Sequence, residues 1–342
     1  MASTALRVAL ICGTYGAGQG TGGQSAALAA GLAERGHHVQ VWARRVDRAD
    51  GIEVHALPRS RRALWGAVSR VPREQFDVVH AMERAPGADV YRAGGGVHQA
   101  WLDGLPPALS WRRWMLRQRR EARLDAAAAT TARRVIANSQ RVAAELVAFH
   151  GIAPGRVVVV RNGVQLPVVD ADLRGRVRQR WGVPSGGRVA LFLGHDAVRK
   201  GLDVAAAAFA RVAGPLDRMV AAGPRHGPPG VRCVGPMPAA EALAAADAMV
   251  LPSRYDASSN AVLEAMAAGV PPVCSRRDGA SELVPDRRLV VADPADVLGV
   301  AEALGYAWAA ADAEGLRSAA RAWPVSRMVL QTELVYRELT RA

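Results

Sequence analysis

The stretch LPSRYDASSNAVLEAMAAGVPPVC, from Leu251 to Cys274, decides the fold of this chain. The apolar run from Ala248 to Leu251 predicts a buried strand, and a polar loop of small residues follows it. A helix is predicted from Asn260 to Ala268, because Gly269 stops it and two prolines lead into the next strand. The stretch is therefore a strand–loop–helix unit of an α/β protein.

The loop and the helix start have the chemistry of a nucleotide-diphosphate site. Small residues at a helix start leave backbone N–H groups that bind anions with the help of the helix dipole; here they are Ser259, Asn260 and Ala261. Asp256 lies in the loop, and Glu264 in the second turn can accept hydrogen bonds from a ribose hydroxyl. The alternative is a structural unit, since any α/β protein has strand–loop–helix units with a polar cap and an acidic residue.

This stretch resembles the E-x7-E signature of retaining GT-B glycosyltransferases, and of glycosyltransferase family 4 in particular. Here the signature reads Asp256-x7-Glu264, so the first acid is one methylene shorter than in the family. The resemblance implies that Glu264 holds the donor ribose and that Asp256 contacts the transferred sugar.

A second motif precedes this stretch in the same half of the chain. The predicted strand Arg188–Leu193 leads into a loop from Gly194 to Gly201 that contains Arg199 and Lys200. Two adjacent cations at a strand-to-helix loop neutralise a diphosphate, the Arg by a two-pronged fork and the Lys as a point charge. A surface charge pair is the alternative. The loop resembles the family's G-x4-R-K-G motif, which implies that Gly194, Arg199 and Lys200 hold the donor diphosphate.

The first half opens with a strand, a glycine loop, a helix and a second strand, predicted at Arg7–Cys12, Gly13–Gly23, Gln24–Arg35 and Val39–Trp42. Gly18-x-Gly20-x-x-Gly23 fits the dinucleotide fingerprint, and Arg44 with Arg45 would favour NADP. The resemblance to family 4 gives a different interpretation. It implies that Gly22 and Gly23, directly before the helix, lie close to the donor phosphates and the acceptor.

The segment from Asp89 to His98 runs from a strand-like piece into three glycines and a histidine. It resembles the corresponding segment of bacterial lipopolysaccharide-core glucosyltransferases, where a polar residue faces the sugar. Some relatives carry an acidic residue near Gly95. This chain has none there, so His98 is the candidate for the polar group that faces the sugar. The glycines leave room for a ligand, although a single histidine also suits a structural role.

The segment from Trp111 to Arg123 predicts a basic amphipathic helix. Its aromatic and apolar residues gather on one side, and six arginines cover the other. Such a helix can lie on an anionic membrane surface. The alternative is a helix whose aromatic side packs on its own sheet and whose arginines are solvated.

Alternating strands and helices predict parallel, doubly wound sheets. The resemblance implies a GT-B fold, α/β in class, with two Rossmann-like domains facing a cleft. Residues 1–164 are predicted as the acceptor-side domain and residues 165–323 as the domain that binds the nucleotide sugar. Asn162-Gly163 matches the turn that ends the first domain in the family. The C-terminal helix, residues 324–342, is expected to cross back to the first domain.

Composition limits the partners of this 342-residue chain, whose formal net charge is +13. The charge suits a phosphorylated or anionic partner, and an Arg- and Ala-rich coding bias is the alternative. Four Phe and five Tyr, with no basic–aromatic sheet motif, argue against a nucleic-acid partner.

The sequence also bears on location. No apolar run has the roughly 18 residues of a membrane span, and the N-terminus enters a strand-like run rather than a signal peptide. The scattered cysteines, Cys12, Cys233 and Cys274, are expected to be buried thiols of a reducing compartment. We therefore expect a cytoplasmic protein, at the inner face of the cytoplasmic membrane if the helix from Trp111 to Arg123 binds lipid.

The resemblance implies retaining transfer of a hexose, expected to be glucose, from a UDP-sugar to a glycan or glycolipid acceptor. The nearest likeness is to lipopolysaccharide-core (heptose I) glucosyltransferases. The predicted catalytic set is Asp256, His98, Arg199 and Lys200, with no general base assigned. The two cations would stabilise the departing UDP, so neither a metal nor another cofactor is expected. The only Asp-x-Asp, Asp170-Ala171-Asp172, falls in the predicted linker between the two domains, Val164–Asp172.

Two other functions stay open at this point. An NADP-dependent oxidoreductase would use the first glycine loop, but the sequence has no obvious Tyr-x-x-x-Lys or His–Asp pair and leaves Arg199 and Lys200 unexplained. A non-catalytic protein that binds sugar nucleotides is the other, because Asp256 and Gly95 depart from the family pattern.

Overall fold

A computed structural model describes residues 4–16, 21–49, 51–60, 64–165 and 171–341 of the chain. The chain divides into two compact units. Unit 1 consists of Met1–Gly163 together with Val325–Ala342, and unit 2 consists of Val164–Pro324. The assignment of an acceptor to the first and a donor to the second stays a prediction.

Unit 1 contains a seven-stranded parallel sheet in the order β3-β2-β1-β4-β5-β6-β7. Apolar runs that are buried on both faces form its central strands, as expected for a parallel sheet covered by helices. The strands are β1 Arg7–Tyr15, β2 His38–Val46, β3 Glu53–Ala56, β4 Val78–Ala81, β5 Val90–Arg92, β6 Arg134–Ala137 and β7 Val157–Val159.

Helices and short 3-10 turns connect these strands. Ser139 caps the fourth helix, because its hydroxyl oxygen accepts a hydrogen bond of 3.2 Å from the N–H of Val142. The helices of unit 1 are α1 Thr21–Glu34, α2 His98–Asp103, α3 Leu116–Thr131, α4 Gln140–His150 and, from the end of the chain, α11 Val325–Arg341.

Unit 2 repeats the plan with a six-stranded parallel sheet in the order β10-β9-β8-β11-β12-β13. The strands are β8 Val189–Leu193, β9 Arg218–Ala222, β10 Val231–Gly235, β11 Ala248–Leu251, β12 Pro272–Ser275 and β13 Val290–Val291. The helices are α5 Ala171–Arg180, α6 Leu202–Val212, α7 Ala239–Ala245, α8 Asn260–Ala268, α9 Val297–Ala310 and α10 Ala313–Arg321. Two doubly wound α/β units are therefore confirmed.

The C-terminal helix α11 packs on unit 1, as predicted. Five of its buried side chains belong to the core of that unit: Met328, Val329, Val335, Tyr336 and Leu339. The Tyr336 hydroxyl lies 2.6 Å from Nδ1 of the fully buried His80 on β4. Burying a large side chain contributes about 1.5–3 kcal/mol, so α11 is an integral layer of unit 1.

The first glycine loop is shorter than predicted. Strand β1 continues to Tyr15 and α1 begins at Thr21, so Gly22 and Gly23 lie in the first turn of α1 rather than before it. A Cβ on Gly22 would lie 3.3 Å from Cγ2 of Thr14, so this glycine lets the helix approach the strand closely. The predicted fingerprint residues Gly18 and Gly20 lie outside the described residues.

The predicted linker is also shorter. Asp172 lies in the first turn of α5, where an acid interacts favourably with the helix dipole, and Asp170 lies outside the described residues. The prediction that the Asp-x-Asp falls wholly in a linker is therefore wrong for Asp172.

The single amphipathic helix predicted from Trp111 to Arg123 is also wrong. A 3-10 helix spans Pro107–Trp114, Met115 has an extended backbone with ψ of 132°, and α3 begins at Leu116. The aromatic residues do not pack on the sheet, since Trp111 is 57% exposed and Trp114 is 74% exposed. Among the described residues, no helix has the length and apolar character needed to cross a membrane.

The contact between α1 and α11 yields a prediction about two helical glycines. A Cβ on Gly31 of α1 would lie 2.6 Å from Cγ2 of Val329, whereas a Cβ on Gly305 of α9 would meet nothing within 4 Å. Gly305→Ala should stabilise the protein by about 0.5–1 kcal/mol through helix propensity. Gly31→Ala gains the same backbone term but should lose roughly 1–3 kcal/mol to overpacking.

Thermal unfolding of the full chain measures both variants. Adding Val329→Ala to Gly31→Ala should remove the overpacking term, so the double variant should lose less than the two single losses combined. Equal stabilisation by both glycine substitutions would contradict the close packing of α11 on α1.

Candidate functional site

Gly194, at the carboxyl end of β8, makes room for a lysine. A Cβ there would lie 2.4 Å from Cδ of Lys200, and the residue has a φ of 151°. Gly201 closes the same loop with a φ of 76°, and a Cβ on it would lie 2.3 Å from the carbonyl oxygen of Pro252. These two glycines let the loop fold tightly, so that Lys200 is buried beneath it.

Arg199 and Lys200 converge on one carboxylate of the next loop. Nη1 of Arg199 lies 3.0 Å from Oδ2 of Asp256, and Nζ of Lys200 lies 2.9 Å from the same oxygen. Lys200 also donates to the Ser259 hydroxyl at 3.3 Å. The structure therefore brings together four of the residues predicted for the site, and the cations expected to hold a diphosphate are paired with Asp256.

Asp278 is a second carboxylate at this position. It follows β12, is fully buried, and its Oδ1 accepts hydrogen bonds of 2.9 Å from the N–H groups of both Ser259 and Ala280. Its Oδ2 is buried with no hydrogen-bond partner among the described residues. Burial and the neighbouring charge of Asp256 raise the pKa of Asp278, and Lys200 opposes that shift. Asp278 thus fixes the start of α8 to the loop after β12.

This contact corrects one part of the expected anion site. The N–H of Ser259 was expected to be open to a phosphate, but it already donates to Asp278. Asn260 and Ala261 form the first turn of α8, as predicted, and Gly269 ends the helix with a φ of 74°. The roles of Ser259, Asn260 and Ala261 in donor binding stay predictions.

Glu264 lies half-buried in the second turn of α8. Its carboxylate makes no hydrogen bond or ion pair with the residues that the structure describes. Burial raises the pKa of Glu264 to about 7, and the charge of Lys200 opposes the shift. An unpaired carboxylate of this kind can accept hydrogen bonds from a sugar hydroxyl, and the predicted contact of Glu264 with the donor ribose stays a prediction.

His98 lies in unit 1 and is held by neighbouring side chains. Its Nε2 lies 2.8 Å from Oε1 of Gln118, its backbone N–H donates to Asp125 at 2.9 Å, and its ring contacts Trp101 at 5.1 Å between centroids. Burial, followed by the charge of Arg84, lowers the pKa of His98, so the ring is neutral. Its predicted contact with a sugar stays a prediction.

Sequence reasoning missed Asp278, although a signal for it was present. Strands β11 and β12 are parallel neighbours, so the residues that follow them meet at one edge of the sheet. Asp256 and Asp278 even form a parallel bridge with each other. Within the described ranges no group of three or more His, Cys, Asp or Glu residues is arranged to hold a metal ion.

Both halves of the chain match family models. Residues 20–167 match Glycosyltransferase Family 4, and residues 187–309 match Glycosyl transferases group 1. Among solved structures, WaaG, a glycosyltransferase involved in lipopolysaccharide biosynthesis, has a TM-score of 0.74 at 21% identity and covers 94% of each chain. HepE of Anabaena in complex with UDP-glucose has a TM-score of 0.74 at 18% identity, covering 96% of this chain and 99% of its own.

Curated relatives are similar over part of their length. D-inositol 3-phosphate glycosyltransferase of Streptosporangium roseum is 32% identical over 183 residues, which are 45% of this chain and 41% of the relative. D-inositol 3-phosphate glycosyltransferase 1 of Catenulispora acidiphila is 30% identical over 179 residues, 47% of this chain and 40% of the relative. The chain thus spans less than half the length of these relatives.

The fold and the two family matches agree with each other. Two parallel-sheet Rossmann-like units form the architecture of the GT-B fold, which the solved structures named above share. Each half of the chain is similar in sequence to a glycosyltransferase domain.

The raised pKa of Glu264 predicts how stability depends on pH. Its ordinary value is 4.5 and its folded value is about 7, so the folded state binds the proton more tightly than the unfolded state. The stabilising contribution is complete below pH 4.5 and is lost as the pH rises through about 7. Thermal unfolding should therefore show stability falling from pH 5 to 8, by roughly 1–3 kcal/mol from this group.

Glu264→Gln should flatten that slope, and Glu302→Gln, at an exposed position of α9, should leave it unchanged. Asp278 contributes a slope of the same sign, so part of the pH dependence should persist in the Glu264 variant. An identical slope in wild type and Glu264→Gln would mean that this carboxylate is well solvated.

Proposed function

We propose that this chain transfers a hexose from a UDP-sugar to a saccharide or polyol acceptor, with retention at the anomeric carbon. The observation that carries the proposal is the convergence of Arg199 and Lys200 on Asp256, at 3.0 and 2.9 Å, beside the start of α8. The family matches of both halves support the same activity. They do not favour the NADP-dependent alternative.

The charges of this site suit a diphosphate that arrives and leaves. Without a donor, Asp256 offsets part of the positive charge of Arg199 and Lys200. A bound diphosphate supplies negative charge to both cations, which leaves the Asp256 carboxylate available to the hydroxyls of the sugar. When the bond between the anomeric carbon and the diphosphate oxygen breaks, the cations stabilise the charge on the leaving UDP. The new bond forms between the anomeric carbon and an acceptor oxygen, and the proton of that hydroxyl passes to a phosphate oxygen of the leaving UDP, so that no metal is required.

The proposed donor is UDP-glucose, with Glu264 accepting hydrogen bonds from the ribose. The complexes of the Anabaena neighbour with UDP-glucose support this choice. For the acceptor, the heptose of a lipopolysaccharide core or another cell-envelope glycan stays the candidate drawn from the sequence, and the names of the curated relatives add inositol phosphates.

A thermal-shift panel tests the donor. UDP, GDP, ADP, UDP-glucose, UDP-galactose, UDP-N-acetylglucosamine and NADPH are compared at matched concentration. A ligand at about a hundred times its dissociation constant stabilises a protein by about 2.7 kcal/mol. UDP and UDP-glucose should both raise the melting temperature. Stabilisation by NADPH alone would refute the proposal.

Arg199→Ala should weaken UDP binding at least about tenfold, because one charge-assisted hydrogen bond contributes roughly 1.5–3 kcal/mol. Calorimetric titration measures the change. The matched control is Arg211→Ala, which removes the same charge from an exposed position on α6 of the same unit and should bind UDP like wild type. Equal affinities of all three proteins would show that the diphosphate lies elsewhere.

The variant Asp256→Asn distinguishes a contact with the transferred sugar from a contact with the nucleotide. It releases both cations from their carboxylate, so UDP affinity should be kept or improved, while turnover of UDP-glucose should fall at least about tenfold if the carboxylate acts in the transition state. A parallel loss of affinity and turnover would place Asp256 in the nucleotide site.

We further propose that unit 1 contacts an anionic membrane surface. Apolar side chains are exposed where the 3-10 helix meets α3, with Leu116 71% exposed beside Trp111 and Trp114. Exposed arginines follow on α3, so apolar and cationic groups are adjacent, as in interfacial segments. We call this surface the Trp–Arg patch; it comprises Trp111, Trp114, Met115, Leu116, Arg117, Arg119, Arg120 and Arg123.

Co-sedimentation with vesicles tests the patch. Replacing its four α3 arginines by Gln should release the protein from vesicles with anionic lipid, since each Lys or Arg near such a surface contributes about 1 kcal/mol. Trp114→Ser should also weaken binding. Leu298→Ser, at a 58% exposed position of α9, is the matched control and should bind like wild type. Retained binding of the arginine variant at low salt would contradict the assignment.

A further inference from the structure

A cavity of about 270 Å³ lies in unit 1, and nothing proposed so far uses it. Three arginines contribute to its wall, Arg44 from β2, Arg84 from the loop after β4, and Arg92 from β5. Glu83, Glu121 and the apolar side chain of Trp65 complete a wall of mixed character. The size is near the lower end of the roughly 300–1,000 Å³ of ligand pockets, which suits one sugar- or polyol-sized group.

Arg92 is a buried cation that has no counter-charge among the residues the structure describes. It is only 2% exposed, and its Nη2 donates to the carbonyl oxygen of Val160 at 3.1 Å and to Oδ1 of Asn162 at 2.9 Å. Its Nη1 is buried with no hydrogen-bond partner among the described residues, and none of their carboxylates pairs with it. A buried charge without a partner costs several kcal/mol, so such groups are rare unless a ligand completes them.

The other arginines of the cavity have carboxylate partners. Arg84 pairs with Asp125 at 3.2 Å and with Glu121 at 3.3 Å. Arg44 has a long contact of 4.0 Å with Glu83. Because these carboxylates are already committed to other arginines, they leave the charge of Arg92 uncompensated.

The groups behind Arg92 supply no negative charge either. His80 and Tyr336 are fully buried and form a hydrogen bond with each other. Burial and the charge of Arg92 lower the pKa of His80, and burial raises that of Tyr336, so both side chains are neutral at pH 7. Burial also lowers the pKa of Arg92 itself to about 10, which still leaves it protonated.

We propose that this cavity binds an anionic group, a phosphate or a carboxylate, carried by the acceptor, with Arg92 as its principal ligand. This rests on the proposed function and specifies the chemical class of its acceptor as an anionic sugar or polyol. The Nη1 of Arg92 offers N–H donors to the anion, and Arg44, whose Nε is also buried with no hydrogen-bond partner in the described part of the chain, lines the same wall. Glu83 and Glu121 can accept hydrogen bonds from hydroxyl groups of the same molecule.

Inorganic phosphate is the first probe, titrated by calorimetry into the full chain with UDP at saturation, so that the donor site does not contribute. We expect binding to wild type and at least about tenfold weaker binding to Arg92→Met, a difference of about 1.4 kcal/mol. The matched control, Arg341→Met, removes the same charge from an exposed position at the end of α11 and should bind phosphate like wild type. Unchanged binding to Arg92→Met, or none to wild type, would overturn the proposal.

A stability measurement distinguishes a ligand-binding arginine from a structural one. In buffer without phosphate, Arg92→Met should melt no lower than wild type, because it removes an uncompensated buried charge. A large loss of stability would mean that the bonds to Val160 and Asn162 explain Arg92, and would overturn the proposal. Arg44→Met is titrated as a second variant, with weaker phosphate binding expected and wild-type binding counting against the site.

Titrations with glucose 6-phosphate, glucuronate and glucose show which kind of anion the cavity binds. Binding of the phosphate ester or of the carboxylate, but not of neutral glucose, is expected and identifies which anion the cavity takes. Equal binding of all three would overturn the assignment to Arg92. Phosphate is also titrated into Arg199→Ala in the absence of UDP. If the wild-type protein does not bind UDP, the proposed function is refuted, and this titration still tests the cavity.

Discussion

The sharing of one carboxylate by two cations is the interaction on which unit 2 depends. Asp256 lies between Arg199 and Lys200 and so joins the loop after β8 to the loop after β11. Asp278 then joins the second loop to the start of α8 through two backbone N–H groups. A cluster of this kind is stable only when every charge has a partner at short range. The glycine at position 194 is required because Lys200 must pass beside the backbone to reach it.

The elements of unit 2 could be predicted closely because their signals are local. The bounds of β11 and α8, and the left-handed glycine that ends α8, follow from an apolar run and helix-stop residues within the sequence. The pairing of the charged side chains with one another could not be predicted. Motif spacing indicates which residues approach a diphosphate, but pairing between Asp256 and both cations depends on how three loops meet in space.

Unit 1 was less predictable because its distinctive groups come from distant parts of the chain. Nothing near Arg92 in the sequence indicates that it is buried without a carboxylate, since this depends on Arg84 having taken Asp125 and Glu121. The prediction of a single helix from Trp111 to Arg123 is wrong for a local reason instead. Periodicity alone could not indicate the extended backbone at Met115, which separates the 3-10 helix from α3.

The position of α11 also has a consequence for synthesis on the ribosome. Unit 1 begins near the start of the chain, yet Met328, Val329 and Tyr336 of its core emerge only after all of unit 2. At roughly 5–20 residues per second, translating unit 2 takes on the order of 10–30 s. During that interval the side chains of α1 that will contact α11 are uncovered. Unit 2 is therefore the part that can complete its fold first, although it is the second to be made.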